Sequence, residues 1–370
     1  MPDQSKASRR QFLLRSGIFM AAPVILSRAT SMIAKPRNEL FEVLTSGLSS
    51  ANYIVQADAA RLLGDLQSSL AVAPLIEYVR RDRRPTKTAG IEALGRLNDQ
   101  SAVPALAGLV DDPNVPDDEY WYCSASVRVA AALALLQLGN ESRAGFLLND
   151  SPSDGHKKWA MNVWFSATIA SLPDATKSAV ELKKRLRDSE ILPRSRVDPG
   201  QIVPVCDTLA IFNLPRNRKR LLELLGNQSR FVRARAVRGL LRQKSTPEEV
   251  AAAQNLADQD SASSARLSAS IALTNSQMRD DLPRILDALR APDPLDRATA
   301  IDALVDLKQR ASSDALISAL VDSDEYVQLC ACEAIAELGD AHAVKMVREL
   351  KGPSQRVAMS RAYCLLHREE

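Results

Sequence analysis

Sixteen lysines and arginines against five acids fall between Lys183 and Lys244, and no other part of the chain concentrates one charge so strongly. Arg216, Arg218, Lys219 and Arg220 open the cluster, and Arg235, Arg238 and Arg242 follow at spacings of three and four. Those spacings put the last three on one face of a helix. Such a face attracts phosphates or an acidic partner by charge alone; the plainer reading is a solvated helix face. Nucleic acid is not the expected partner, because non-specific strand binding needs aromatic stacking platforms and Phe231 is the one aromatic between Arg216 and Lys244.

A second candidate is the stretch "DDPNVPDDEYWYCSAS" from Asp111, in which five acids precede Tyr120, Trp121 and Tyr122. Aromatics are only 4% of the chain, so three in a row in a loop read either as a contact patch for a partner or as rings folded back over a helix end. The acids lack the alternate spacing and closing glutamate of a calcium loop.

Catalytic chemistry finds little purchase. His156, His342 and His367 are scattered, and none stands at ligand spacing from a cysteine. Cys330 and Cys332, two apart on a helix, project about 200° from one another and cannot share an ion. Glycine-rich phosphate loops, a Gly-x-Ser-x-Gly elbow and His-Glu-x-x-His are all missing from the sequence. The expectation is no catalytic residue, no cofactor and no metal: a chain that is not an enzyme.

The first 37 residues carry +6 and differ from everything after them. "SRRQFL" at 8–13 precedes the apolar run "GIFMAAPVIL" at 17–26, the layout of a basic leader, a short hydrophobic core and a polar exit that marks an export signal. The run is short for a membrane span, and Pro23 interrupts it. Arg9, Arg10, Phe12 and Leu13 resemble the twin-arginine translocation motif, with Leu14 where lysine is usual. The resemblance implies an exported, periplasmic protein that meets the translocon through this signal, which is either cleaved or kept as the chain's one membrane anchor.

What must position these groups is a helical framework. Alanine and leucine dominate the apolar residues, a bias toward helix and away from strand. "AARLLGDLQSSLAVAPLIEYV" from Ala59, "AGIEALGRLNDQSAVPALAGLV" from Ala89, "VRVAAALALLQLGNESRAGFLL" from Val127 and "VQLCACEAIAELGDAHAVKMV" from Val327 repeat one plan. Apolar positions recur at helical spacing, end on a leucine, pass through Gly, Asn or Gln, and restart in a second amphipathic segment. Leu66 to Leu97 and Leu307 to Leu338 are both 31 residues; Arg233, Arg266, Arg297 and Gln328 stand 33, 31 and 31 apart. Gly139, Gly339 and Asn98 are expected to close first helices in the left-handed conformation, and Asp99, Ser101 with Pro104, and Asp340 to start second ones. Gly64 and Gly95 lie inside first helices, where close helix contact would offset a cost of about 1 kcal/mol.

"VRVAAALALLQLGN" (127–140) and "EALGRLNDQSAVPALAGL" (92–109) resemble the HEAT repeats, in particular the short HEAT-like repeats of phycobilisome lyases. The likeness is good over about 40–140 and 220–370 and poor over 150–215. It implies an all-α, right-handed α-solenoid of about nine or ten helix pairs. The parts are the signal at 1–37, repeats at 38–150 with an insertion at 111–126, degenerate repeats at 151–215, and repeats at 216–370. It also implies that Arg128, Arg233, Arg266 and Arg297 form a structural ladder with acids at 111–112, 293–296 and 322–325. The function expected is an exported scaffold that holds a protein partner on the solenoid surface. The alternative is a bilin-lyase-like or cofactor-maturation factor with a pocket near Trp159 and Trp164.

Overall fold

The computed structural model describes residues 34–81, 86–112, 124–149, 161, 165–188, 199–308, 313–350 and 354–368. Arg9, Arg10, Phe12, Leu13, Tyr120, Trp121, Tyr122, Trp159 and Trp164 lie outside them. The chain is an all-α solenoid, and among the described residues there is no strand. It divides into two compact units, 1–191 and 192–370.

The first unit holds α1 (Ala34–Gly47), α2 (Tyr53–Asp65), α3 (Val72–Arg80), α4 (Lys87–Leu97), α5 (Val103–Asp111), α6 (Ser124–Gln137), α7 (Ala144–Leu148), α8 (Ser166–Ser171) and α9 (Lys177–Asp188). Here α2, α4 and α6 stack as one layer, with α3, α5 and α7 flanking them. The second unit holds α10 (Pro199–Phe212), α11 (Pro215–Leu224), α12 (Arg230–Leu240), α13 (Pro247–Gln259), α14 (Ser263–Asn275), α15 (Leu282–Ala288), α16 (Pro294–Asp306), α17 (Ser313–Ala319), α18 (Glu325–Leu338), α19 (Ala341–Glu349) and α20 (Gln355–Arg368). Its even-numbered helices stack consecutively, and the odd-numbered ones cover their flank.

Small and aliphatic residues make this stacking work. Leu62, Leu63, Ile91, Leu94, Leu133 and Leu136 are fully buried between neighbouring first helices. In the second unit Val237, Leu241, Ala253, Leu256, Ala269 and Leu273 form one apolar cluster. Gly64 and Gly95 mark the closest approaches. A Cβ on Gly64 would come within 2.8 Å of the Ala93 Cβ, and one on Gly95 within 3.3 Å of the Ala134 Cβ, so close contact is what retains glycine inside α2 and α4.

The turns follow the residues expected of them, with one correction. Asn98 (φ 52°) and Gly139 (φ 73°) are left-handed, and after α6 the Asn140 N–H donates to Leu135 O and the Gly139 N–H to Leu136 O, the paired bonds of a Schellman motif. Gln67, Gln277 and Lys308 adopt the same left-handed conformation at equivalent helix ends. Gly339 does not. It is extended, with φ −59° and ψ 145°, because Asp340 caps α19 immediately afterwards and leaves no residue for a left-handed turn. Asp99 caps through the Ser101 N–H at 2.8 Å and Asp340 through the Ala343 N–H at 2.8 Å.

Candidate interaction surface

The repeated arginines serve the fold. Arg233 sends Nη1 to Asn227 O at 2.8 Å and to Gln228 O at 3.1 Å, while Nε and Nη2 clasp the Asp260 carboxylate at 2.7 Å each. Arg297 repeats this with Ala291 O, Pro292 O and Asp322. Each side chain therefore ties the turn before its own helix to the turn before the next first helix. Both pairs are largely buried, and charge-assisted bidentate bonds are the strong ones. The Arg233 bonds hold the Asp260 carboxyl below the usual carboxylate range.

Gln328, which interrupts the arginine series, keeps half of this arrangement: its Nε2 donates to Asp322 O, six residues upstream, at 2.6 Å. Gln56 does the same to Ser50 O. Arg128 is different. Its Nε donates to Val110 O at 2.9 Å and its guanidinium lies 4.5 Å over Phe146, whereas Asp111 pairs with Arg143.

The basic cluster separates into internal and external members. Arg218 is held on all sides: it pairs with Glu249 through both terminal oxygens and donates to Asn213 Oδ1 at 2.7 Å and Leu240 O at 3.3 Å. Glu249 also closes a capping box with Thr246 at the start of α13. Burial works against its charge, but the bonds from Arg218 and the Thr246 N–H outweigh this and hold its carboxyl low. Arg235 pairs with Asp207 on α10 at 2.7 Å, and Arg238 reaches past α14 to Asp306 at the end of α16 at 2.9 Å. The third residue of that helical face, Arg242, is exposed just beyond α12. Arg216, Lys219 and Arg220 are exposed on α11, where Arg220 also pairs with Glu223 at 2.7 Å. Arg218 joins α11 to the C-terminal end of α12, so these exposed cations share one end of this helix pair.

Asp207, Glu249, Asp260 and Asp306 carry these arrangements, and the sequence reading did not single them out. One signal was available: Asp260 and Asp322 stand two repeat lengths apart. The second unit also contains a cleft of about 370 Å³ among α13, α14, α15 and the start of α16, to which Asp258, Arg266, Arg284 and Asp296 contribute. Among the described residues no group of three potential ligands could hold a metal ion, and no helix is long and apolar enough to cross a membrane. Cys206, Cys330, Cys332 and Cys364 are buried cysteines. Burial and the neighbouring Asp207 push Cys206 up to about 12, and burial takes Cys364 to about 12.

No curated protein matches the sequence. Similar solved structures include human deoxyhypusine hydroxylase in complex with glycerol (17% identity, 90% of this chain and 98% of that one, TM-score 0.30). Others are an engineered protein (16%, 90% and 99%, TM-score 0.29) and the CpcE and CpcF complex of phycocyanin lyase from Nostoc (16%, 90% and 97%, TM-score 0.28). The expectation of a chain that is not an enzyme is corrected by these names: helical chains similar to this one include a hydroxylase and a lyase, so the scaffold gives no ground for excluding catalysis. Likeness at this level carries no activity over to this chain. Residues 41–125 and 282–365 match the family of HEAT repeats, so these two stretches of the all-α chain are HEAT-like helical repeats.

Proposed function

We propose that this scaffold is exported through the twin-arginine route and holds a protein partner by charge, at the exposed cations Arg216, Lys219, Arg220 and Arg242. One observation carries the reading. Arg218, Arg233, Arg235 and Arg238 are tied to Glu249, Asp260, Asp207 and Asp306 on other elements of the fold, while Arg216, Lys219, Arg220, which pairs with Glu223 on its own helix, and Arg242 are exposed at one end of a helix pair. A cluster of exposed like charges raises local concentration of an oppositely charged partner and speeds its encounter. The partner is therefore a protein with an acidic surface.

The test is affinity capture from the periplasmic fraction with residues 38–370, repeated with Lys219→Glu and Arg242→Glu. Both side chains lie on the outside, so the variants should fold normally by circular dichroism. Loss of one protein from the captured set is expected; an unchanged set would refute the proposal. Export is tested separately by Arg9→Lys with Arg10→Lys, which should retain the protein in the cytoplasm, and normal export would refute that part.

A further inference from the structure

Arg233, Arg266 and Arg297 occupy one repeated position, but only two of them complete the same set of bonds. Each sends Nη1 to the carbonyl six residues upstream: Asn227, Asp260 and Ala291 respectively. Arg233 and Arg297 then present Nε and Nη2 to the carboxylates of Asp260 and Asp322. The position corresponding to those aspartates for Arg266 lies 31 residues from each, and Ala291 fills it. Asp293, two residues further on, caps the Leu295 N–H and stands 3.5 Å from Arg230. Among the described residues no hydrogen bond or ion pair engages the Nε and Nη2 edge of Arg266.

The space where that carboxylate would stand is open. The cleft of about 370 Å³ in the second unit is lined by both Arg266 and Ala291. A guanidinium edge of this kind matches a carboxylate bidentately, and the backbone bond to Asp260 O already fixes its orientation. We infer that Arg266 is a rung of the ladder left open for a carboxylate supplied from outside the chain, and that the cleft is a binding site for it.

The other charged groups in the cleft narrow the ligand. Arg284 is paired with Asp258 at 2.6 Å. Asp287 is exposed at the rim. Asp296 is buried, 2% exposed, and its Oδ1 has no hydrogen-bond partner among the described residues. Burial pushes its carboxyl up, against the hydrogen bond from Ser263 and the pull of Arg230 and Arg266. An unsatisfied buried acceptor costs free energy that a donor would recover, so the favoured ligand is a carboxylate that carries a hydrogen-bond donor, such as a hydroxy acid. The site is distinct from the α11 cations and does not rest on them.

The test uses the full chain labelled with nitrogen-15, following the Nε–Hε resonance of Arg266 during titration with sodium acetate, sodium glycolate and, for ionic strength, sodium chloride. The carboxylates should move it saturably toward the Arg233 and Arg297 resonances, glycolate at lower concentration than acetate, and chloride should leave it in place. Ala291→Asp supplies the absent rung: its Arg266 resonance should start near those of Arg233 and Arg297 and ignore both carboxylates. Arg266→Lys keeps the charge but not the fork, and should weaken glycolate binding about tenfold by a competition assay. A blocked tripeptide, acetyl-Gly-Asp-Gly-amide, distinguishes the source. Tighter binding of the peptide than of glycolate assigns the site to an acidic side chain of a partner, and the reverse to a free small acid; either supports a carboxylate site. Equal shifts with chloride, or an unaltered response in the Ala291→Asp variant, would overturn the inference.

Discussion

Replacing Arg297 by alanine removes several bonds at once, and the loss can be worked from the geometry. The side chain makes two charge-assisted bonds to Asp322, at 2.8 and 2.7 Å, and covers the carbonyls of Ala291 and Pro292. The pair is 13% and 14% exposed. Exposed ion pairs contribute about 0–1 kcal/mol, whereas breaking a buried one costs about 3–5 kcal/mol. This pair lies nearer the second case, so Arg297→Ala should cost roughly 3 kcal/mol. Asp322→Ala should cost nearly as much, because Asp322 also caps the Asp324 N–H at 2.8 Å. Combining the two should recover about 1–2 kcal/mol of coupling. At about 2–4 °C per kcal/mol for a unit of this size, the single variants should lower Tm by roughly 6–12 °C. Arg297→Gln should lose about 1 kcal/mol less than alanine, because a glutamine at this position can keep the backbone bond, as Gln328 and Gln56 do. Urea unfolding followed by circular dichroism measures all four. Coupling below about 0.5 kcal/mol with single losses below 1 kcal/mol would refute the ladder as a structural tie, since that is the range of a surface pair.

Three further outcomes follow from the same structure. Gly64→Ala should destabilise by about 1–2 kcal/mol, because the contact with Ala93 exceeds the gain in helix propensity, while Gly108→Ala, with nothing within 4 Å, should stabilise by up to about 1 kcal/mol; thermal melts that rank the two the other way would contradict the close approach of α2 and α4. The lowered Asp260 carboxyl contributes stability that is fully present above its unfolded value near pH 4 and is lost as pH falls through its folded value. Asp260→Asn should therefore flatten the stability profile below about pH 4, and an unaltered profile would contradict the pairing. Iodoacetamide at pH 8 should not label Cys206, Cys332 or Cys364 until urea unfolds the chain, since burial raises all three thiols; mass spectrometry showing native-state labelling would place them at the surface.

The helix pairs were legible in the sequence because a 31-residue period and the turn residues agree with each other. Asn98 and Gly139 end their helices in the left-handed conformation that asparagine and glycine tolerate best. Gly339 misled because the same glycine also precedes a cap, and Asp340 takes control of the backbone there. The three arginines of α12 and its end are regularly spaced, which suggested one cationic face. What spacing does not show is the partner. Asp207 lies 28 residues before Arg235, Asp306 lies 68 after Arg238, and only the stacking of α10, α14 and α16 around α12 brings them together. Ala291 carries no signal as a residue; its meaning comes from the two aspartates that stand a repeat away on either side.

The arginines of the central cluster divide between those that tie helices together, such as Arg218 and Arg233, and exposed ones such as Arg242 that we propose engage a partner. The most direct measurement is the affinity of the captured partner for wild-type protein and for the Lys219→Glu, Arg242→Glu variant, at 50 and 200 mM salt. Binding by the variant should be at least tenfold weaker, with the remaining affinity less sensitive to salt and the urea midpoint unchanged. Equal affinities and equal salt dependence would contradict that division.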